Sequence, residues 1–285
     1  MTKKILLFST LLASSLPVMI TSCSTYSKRD DFKNIIPKDR DVIENGATPE
    51  ELRTQKIIKE ITLQAFKSEA KKVQFLKNQN DKNNQEKVKA RFKELTKDFL
   101  AKETNEEKYQ VALEIQKTIN ENWYFFLNNI DLFYGKFSHW YLFPEYPQNP
   151  RRGKHSQEYK DYLNTLAAPA DIIFKNNYFT DLKEGDESAE VSDATTLYLT
   201  KNNVLFRFQI RDTLGDNPYV VINPYFFAFP LSKKSTISIG LISDLIHGAL
   251  IHYTQDGFDR FENDFAKKEG YGPMAQMHLL YKGDK

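Results

Sequence analysis

Cysteine is almost absent from this chain: one residue, Cys23, in 285. That excludes an internal disulfide, and beyond residue 23 it excludes thiol catalysis and thiolate metal sites. Phosphate-cradling glycine loops, a nucleophile elbow and a paired-histidine zinc motif are missing as well, so no catalytic signature and no cofactor site is expected. An excess of charge of one sign is missing too. The formal net charge is +2. Residues 1–22 hold Lys3 and Lys4 and no acid, so without them it falls to zero. Global charge therefore singles out neither nucleic acid nor an anionic surface as partner, and no nucleic acid is expected.

The sharpest feature present lies at the start. Lys3 and Lys4 precede an apolar run over residues 5–16, Pro17 breaks it, and Ile20-Thr21-Ser22-Cys23 follows. The run is shorter than the roughly 20 residues of a spanning helix. A charged start, a short apolar core and small residues before a cleavage point make a secretory signal peptide. The last four residues resemble a bacterial lipobox, which implies cleavage before Cys23 and its lipidation, with palmitate among the acyl chains. The lone cysteine then has a use, as a lipid thioether holding the chain to the outer face of the cell membrane. Two acyl chains hold stably where one does not, each buried methylene contributing about 0.8 kcal/mol.

Four segments follow from this reading: a signal peptide over 1–22, a flexible tether over 23–47, a helical stalk or hairpin over 48–122, and an aromatic-rich α+β domain over 123–285. The tether is polar and broken by Pro37 and Gly46; a flexible segment of that length has a root-mean-square span of roughly 25–30 Å. The expected fold class is α+β, with long antiparallel helices in the N-terminal half and a mixed antiparallel sheet with helices in the C-terminal half.

Thr48-Pro49-Glu50-Glu51 predicts a helix start with a capping box. Ile58, Ile61, Ala65, Ala70, Val73 and Leu76 continue at helical spacing until Asn78-Gln79-Asn80-Asp81 interrupts. A second helix is expected from about Asp81 to Ala101 on the seam Val88, Phe92, Leu95 and Phe99. The Lys-rich residues 67–97 read as the solvated outside of a helical hairpin, because Arg91 is the one arginine among them. A third, long helix is expected from Thr104 or Asn105, with Ala112, Ile115, Ile119, Trp123, Phe126, Ile130, Phe133 and Phe137 on one face.

Aromatics then crowd together. Trp123, Tyr124, Phe125, Phe126, Phe133, Tyr134, Phe137, Trp140, Tyr141, Phe143 and Tyr146 form one cluster, and Tyr219, Tyr225, Phe226, Phe227 and Phe229, between Pro218 and Pro230, form another. With the lipobox and the Lys/Asn bias of a low-GC genome, this layout resembles the mycoplasma surface lipoproteins called aromatic cluster surface proteins. The resemblance covers the whole chain and implies a surface lipoprotein; it assigns no residue a biochemical role.

Further on, Ser156 to Leu166 predicts a short helix. Thr195 to Thr200 and Val204 to Ile210, around Lys201-Asn202-Asn203, predict a hairpin. Tyr219 to Ile222 and Thr236 to Ile239 are strand candidates. Ser243 or Asp244 is expected to cap a helix through about Tyr253, Gln255 to Lys268 to form the last helix, and Met277 to Tyr281 to close a sheet edge.

Three groups are candidates for chemistry. Asp244, His247 and His252 are read as ordinary residues, since histidines five apart fall on different faces of an α-helix. Glu184, Asp186, Glu187, Glu190 and Asp193 are read as a solvated acidic turn without calcium-loop spacing. Trp140, Tyr141, Tyr146, Tyr225 and Phe226 lie beside prolines and are the expected binding patch. The expected function is a lipid-anchored, non-enzymatic surface protein that binds a host protein or glycan or serves antigenic display. The alternative is a ligand-binding lipoprotein of a transport system.

Overall fold

Thr48 Oγ1 accepts from the Glu51 backbone N–H at 3.3 Å, and Glu51 Oε2 accepts from the Thr48 N–H at 2.8 Å. This capping box, as expected from the sequence, opens α1 (Pro49–Ala65). The computed structural model describes residues 46–140, 153–189, 193–252 and 254–283. The expected signal peptide, Cys23, the expected tether up to residue 45, and Tyr141 and Tyr146 of the expected patch lie outside the described residues. Among the described residues, no helix is long and apolar enough to cross a membrane.

The first helix ends earlier than its spacing suggests. Phe66 is extended (φ −136°, ψ 127°), and Ser68 caps a new helix, α2 (Glu69–Asn80), by accepting from Lys71 N–H. On α2, Ala70 and Val73 are exposed and Gln79 is the buried residue. Asp81 caps α3 (Lys82–Ala101), whose expected seam Val88, Phe92, Leu95 and Phe99 is buried. A second capping box, Thr104 with Glu107, starts α4 (Asn105–Glu121).

The long third helix does not run to Phe137. It breaks at Asn122, where a buried glutamine takes over. Gln79 Nε2 donates to Asn122 Oδ1 at 3.0 Å, and Gln79 Oε1 accepts from Phe125 N–H at 3.1 Å. A short α5 (Trp123–Asn128) and a 3-10 turn (Ile130–Leu132) follow. Phe133 and Phe137, expected on the helix, sit in strand β1 (Phe133–His139). Ladder pairing with a distant strand overrides local helical spacing there.

The rest of the chain is α6 (Gln157–Asn164), β2 (Ile172–Ile173), β3 (Asp181–Glu184), β4 (Ala194–Lys201), β5 (Val204–Arg211), β6 (Tyr219–Ile222) and β7 (Tyr225–Ala228), then α7 (Ile239–Ile246), α8 (Gln255–Asp259) and β8 (Ala275–Tyr281). Both α7 and α8 continue in wide π-helical turns, His247–Ile251 and Arg260–Lys268. The strands form one antiparallel sheet in the order β2-β1-β8-β7-β5-β4-β3, with β6 also on β5. The fold is α+β, as expected.

Two boundaries differ from expectation for local reasons. Ser238, not Ser243 or Asp244, caps α7, its Oγ accepting from Leu241 N–H. The strand expected over Thr236 to Ile239 is the approach to that cap. Met277 to Tyr281 does form a strand, but β8 is interior, between β1 and β7.

Both faces of the sheet are covered, which is how layered domains bury their apolar surface. On β5, Phe206 packs on Phe126 of α5, on Phe174 and on Phe179. The opposite face carries Arg207 and Gln209, and it is covered by residues 186–189 and α7. The helices expected as a stalk lie on the sheet. Phe92 of α3 meets Phe133 edge-on at 5.0 Å, and Thr96 Oγ1 accepts from Tyr281 N–H. Residues from α1 to β8 share one continuous core.

Candidate functional site: an aromatic groove beside an edge strand

The break between α1 and α2 turns the Phe66 ring out of line with the helix. It lies 5.1 Å from Phe75 and 6.4 Å from Trp123, and Phe75 stacks on Trp123 at 5.3 Å with 19° between the planes. With Leu113, Tyr219 and Val220 these rings wall a groove of about 430 Å³, a size that suits small ligands or a short stretch of polymer. Trp123 is only 3% exposed and forms the floor, while Tyr219 is 53% exposed and stands at the opening. The exposed Lys117 and Glu121 of α4 complete the wall.

One wall is a strand edge. Arg207 C=O accepts from Asn223 N–H, and β5 pairs Gln209 with Val221 and Arg211 with Tyr219. Antiparallel ladders alternate, so the backbone groups of Tyr219 and Val221 face β5. Those of Val220 and Ile222 face the other way, toward α4. At Ile222 α4 fills the valences: Asn120 Oδ1 accepts from Ile222 N–H at 2.7 Å, and Gln116 Nε2 donates to Ile222 C=O at 2.6 Å. Neither side chain serves Val220, whose N–H and C=O point away from β5 and which lines the groove.

Of the expected patch, Trp140, Tyr225 and Phe226 are among the described residues. Phe226 is fully buried and Trp140 is 9% exposed, while Tyr225 is half-buried. Tyr225 and Phe226, expected in or near a loop, lie in β7, which is hydrogen-bonded between β5 and β8. The Phe226 ring occupies the position a side chain on Gly135 would take, 2.3 Å from an ideal Cβ, so it is locked inside the sheet layer. Trp140 packs on Phe137 at 5.5 Å. The expectation of an exposed patch is thus corrected for Phe226 and Trp140. Phe66 and Phe75 were missed, and Trp123 was read as core alone; the available signal was Ser68-Glu69, a helix start placed just after Phe66.

The other candidate groups form buried ionic networks. The acidic turn is not solvated at Glu187, which is fully buried. Glu187 Oε1 accepts from Tyr198 Oη at 2.6 Å and from Arg207 Nε at 3.1 Å, and its Oε2 accepts from Ser243 Oγ. Burial pushes the Tyr198 hydroxyl well above its ordinary pKa, helped by the Glu187 charge. Burial alone would lower Arg207, but Tyr198 and Glu187 hold its charge more firmly and raise it. Asp186 binds His247 Nδ1, and Asp244 pairs with Arg260. Here the α-helical argument on the histidines fails: in the π-helical turn His252 N–H donates to His247 C=O, and the two rings stack at 4.6 Å. Among the described residues, no group of three or more His, Cys, Asp or Glu is placed to hold a metal. Elsewhere Glu262 is buried and bonded to His155 Nδ1 at 2.9 Å and to Ser156 Oγ at 2.6 Å. Burial acts to raise the Glu262 pKa, yet these bonds lower it on balance. Such networks tie elements together, with their carboxylates at Glu187, Asp244 and Glu262 buried.

A larger depression of about 740 Å³ lies between α3 and α4, walled by Arg91, Lys97, Asp98, Lys102, Glu107 and Glu114. Its charges neutralise one another, as in the Lys102–Asp98 and Arg91–Glu94 pairs, so it has no preference for a ligand of either sign. The aromatic groove is the site with the clearer chemistry.

No curated protein and no solved structure matches the chain. The sequence profile of the aromatic cluster surface proteins matches residues 34–272, well over half of its length, and the chain belongs to that family of surface proteins.

Proposed function

We propose that this surface protein is held to the outer face of the membrane by a lipid on Cys23 and that it binds host macromolecules, protein or glycan, through the aromatic groove without catalysing a reaction. The observation that carries the reading is the Phe66–Phe75–Trp123 stack opening on the exposed Tyr219. Aromatic rings in a sheltered recess supply large contact area at low entropic cost and dominate interface energetics. The networks around Glu187 and Glu262 are closed by their own partners, which favours binding over catalysis as the use of this fold. One continuous core, in place of two lobes around a cleft, lends no support to a transport-type ligand receptor.

Two experiments test it. Cells making the full chain are grown with labelled palmitate; wild type takes up label and Cys23→Ala does not, and equal labelling would overturn the anchor. The purified full chain is then applied to host cells, extracellular matrix and serum proteins. Wild type binds, and Tyr219→Ala binds at least tenfold more weakly, as truncation of an interface aromatic costs about 2 kcal/mol or more. Absence of binding, or equal binding by the variant, removes the groove reading.

A further inference from the structure

From the alternation along β6 we infer that the groove takes an extended polypeptide segment, which adds as a strand to the outer edge of β6 at Val220 and sets an apolar side chain among the rings. This rests on the groove being the binding site and goes on to name the ligand class.

Three observations converge. The first is the hydrogen-bonding edge. Asn223 N–H to Arg207 C=O fixes the ladder phase, and the phase points Val220 N–H and C=O away from β5. α4 satisfies the equivalent pair on Ile222 through Asn120 and Gln116, which confirms the phase independently. One donor and one acceptor on a single residue are the pattern that one residue of an antiparallel strand matches with its own C=O and N–H.

The second is enclosure. Val220 is 4% exposed and lines the groove. A strand edge in that position loses much of its contact with bulk water, and a buried amide pair left unmade costs about 1–3 kcal/mol per group. A partner backbone regains that energy with complementary partial charges. A glycan carries hydroxyls but no fixed amide donor and acceptor at peptide spacing.

The third is the limit set by the neighbours. Pro218, two residues before Val220 on the same side, has no N–H to offer, and Ile222 is closed by α4. Only the Val220 pair and the Pro218 C=O remain for a partner. Recognition is therefore short: one full residue pair, with the remaining affinity drawn from the side chain that enters the rings. The exposed Lys117 and Glu121 beside it present both signs, which suits a polypeptide backbone with no demand for a charged ligand.

The probes are acetylated, amidated pentapeptides alternating Thr with Trp, Phe or Leu, titrated into the full chain. Two further sets carry N-methyl groups on the odd or on the even residues, which removes the donors along one edge at a time. The expected result is binding of the plain peptides, at least tenfold loss for one methylated set and little change for the other. Hydrogen exchange at the Val220 amide slows on saturation. Lys117→Trp, which lays an indole across the groove from an exposed position, reduces binding without lowering thermal stability. Equal binding by both methylated sets, or unchanged exchange at Val220, overturns strand addition. Chitin or heparin oligosaccharides that bind in a Tyr219-dependent way while no peptide does would overturn it too, and would leave the groove standing. Failure of peptides and oligosaccharides alike, with host surfaces bound equally by wild type and Tyr219→Ala, removes strand addition and the groove together.

Discussion

Arg207 Nε donates to Glu187 Oε1 at 3.1 Å directly beside the Tyr198 hydroxyl, which donates to the same oxygen at 2.6 Å. The two charged side chains come from β5 and from the short turn at residues 186–189, and α7 covers them through Ser243. Removing one charge from such a buried pair strands the other, a loss of about 3–5 kcal/mol. Arg207→Met should therefore lower stability by about that amount in urea unfolding. Arg207→Met with Glu187→Leu should be clearly less damaging than the sum of the two single changes. Additive losses would show that the pair does not act as a unit.

Gly135 and Phe226 make a second coupled pair, this time steric. A Cβ on Gly135 would meet the ring at 2.3 Å. Gly135→Ala should cost about 1–3 kcal/mol through overpacking. Phe226→Leu, in the same chain as Gly135→Ala, should recover part of that loss, as read from denaturation midpoints. A Gly135→Ala protein as stable as wild type would show that the sheet relaxes around the contact.

Lys201 is held at a pKa of about 8 because burial disfavours its ammonium, with Asp131 opposing. Its Nζ donates to Asn176 Oδ1 and to Tyr178 C=O, each at 2.6 Å. Above pH 8 the unfolded chain, with an ordinary value of 10.5, binds more protons than the folded one, so stability contributed at this position rises with pH between about 8 and 10.5. The stability of wild type relative to Lys201→Met should climb across that window. A flat difference would count against the burial of the ammonium.

His278 behaves in the same sense at lower pH. Burial, then the nearby His139, hold its pKa down to about 4; burial lowers His139 as well. Between pH 6.5 and 4 the unfolded imidazole is protonated and the folded one is not, so stability falls as pH falls through that range. His278→Leu should flatten the decline, His139 and the lowered carboxylate of Glu262 keeping a residual slope. An unchanged acid profile in His278→Leu would refute the assignment.

What was legible in the sequence was local. Thr48 with Glu51, Thr104 with Glu107, the Phe92 seam and the Asn202-Asn203 turn all depend on residues within a few positions. Asn202 adopts φ 53°, which asparagine tolerates. What was not legible depends on partners far along the chain. Phe133 and Phe137 keep helical spacing with Ile130, but they pair with Tyr281 and Met277. Phe226 sits between prolines, yet β5 and β8 enclose it. Gln79 looks like a surface residue and instead bonds Asn122, at the end of α4, 43 residues later. The groove was hidden for the same reason: Phe66, Trp123 and Tyr219 meet only after the sheet has placed α4 against β6.

The position of β8 bears on how the chain is made. It fills the slot between β1 and β7, pairing Phe133 with Tyr281 and Phe226 with Met277, so neither neighbour can complete its ladder until residues 275–281 have been synthesised. High contact order of this kind slows folding, because loop closure must precede the contacts that reward it. Helices α1 to α4 can form as they emerge, but the sheet cannot. A frameshift upstream of Ala275 would leave two open ladder edges inside the sheet, which are templates for aggregation.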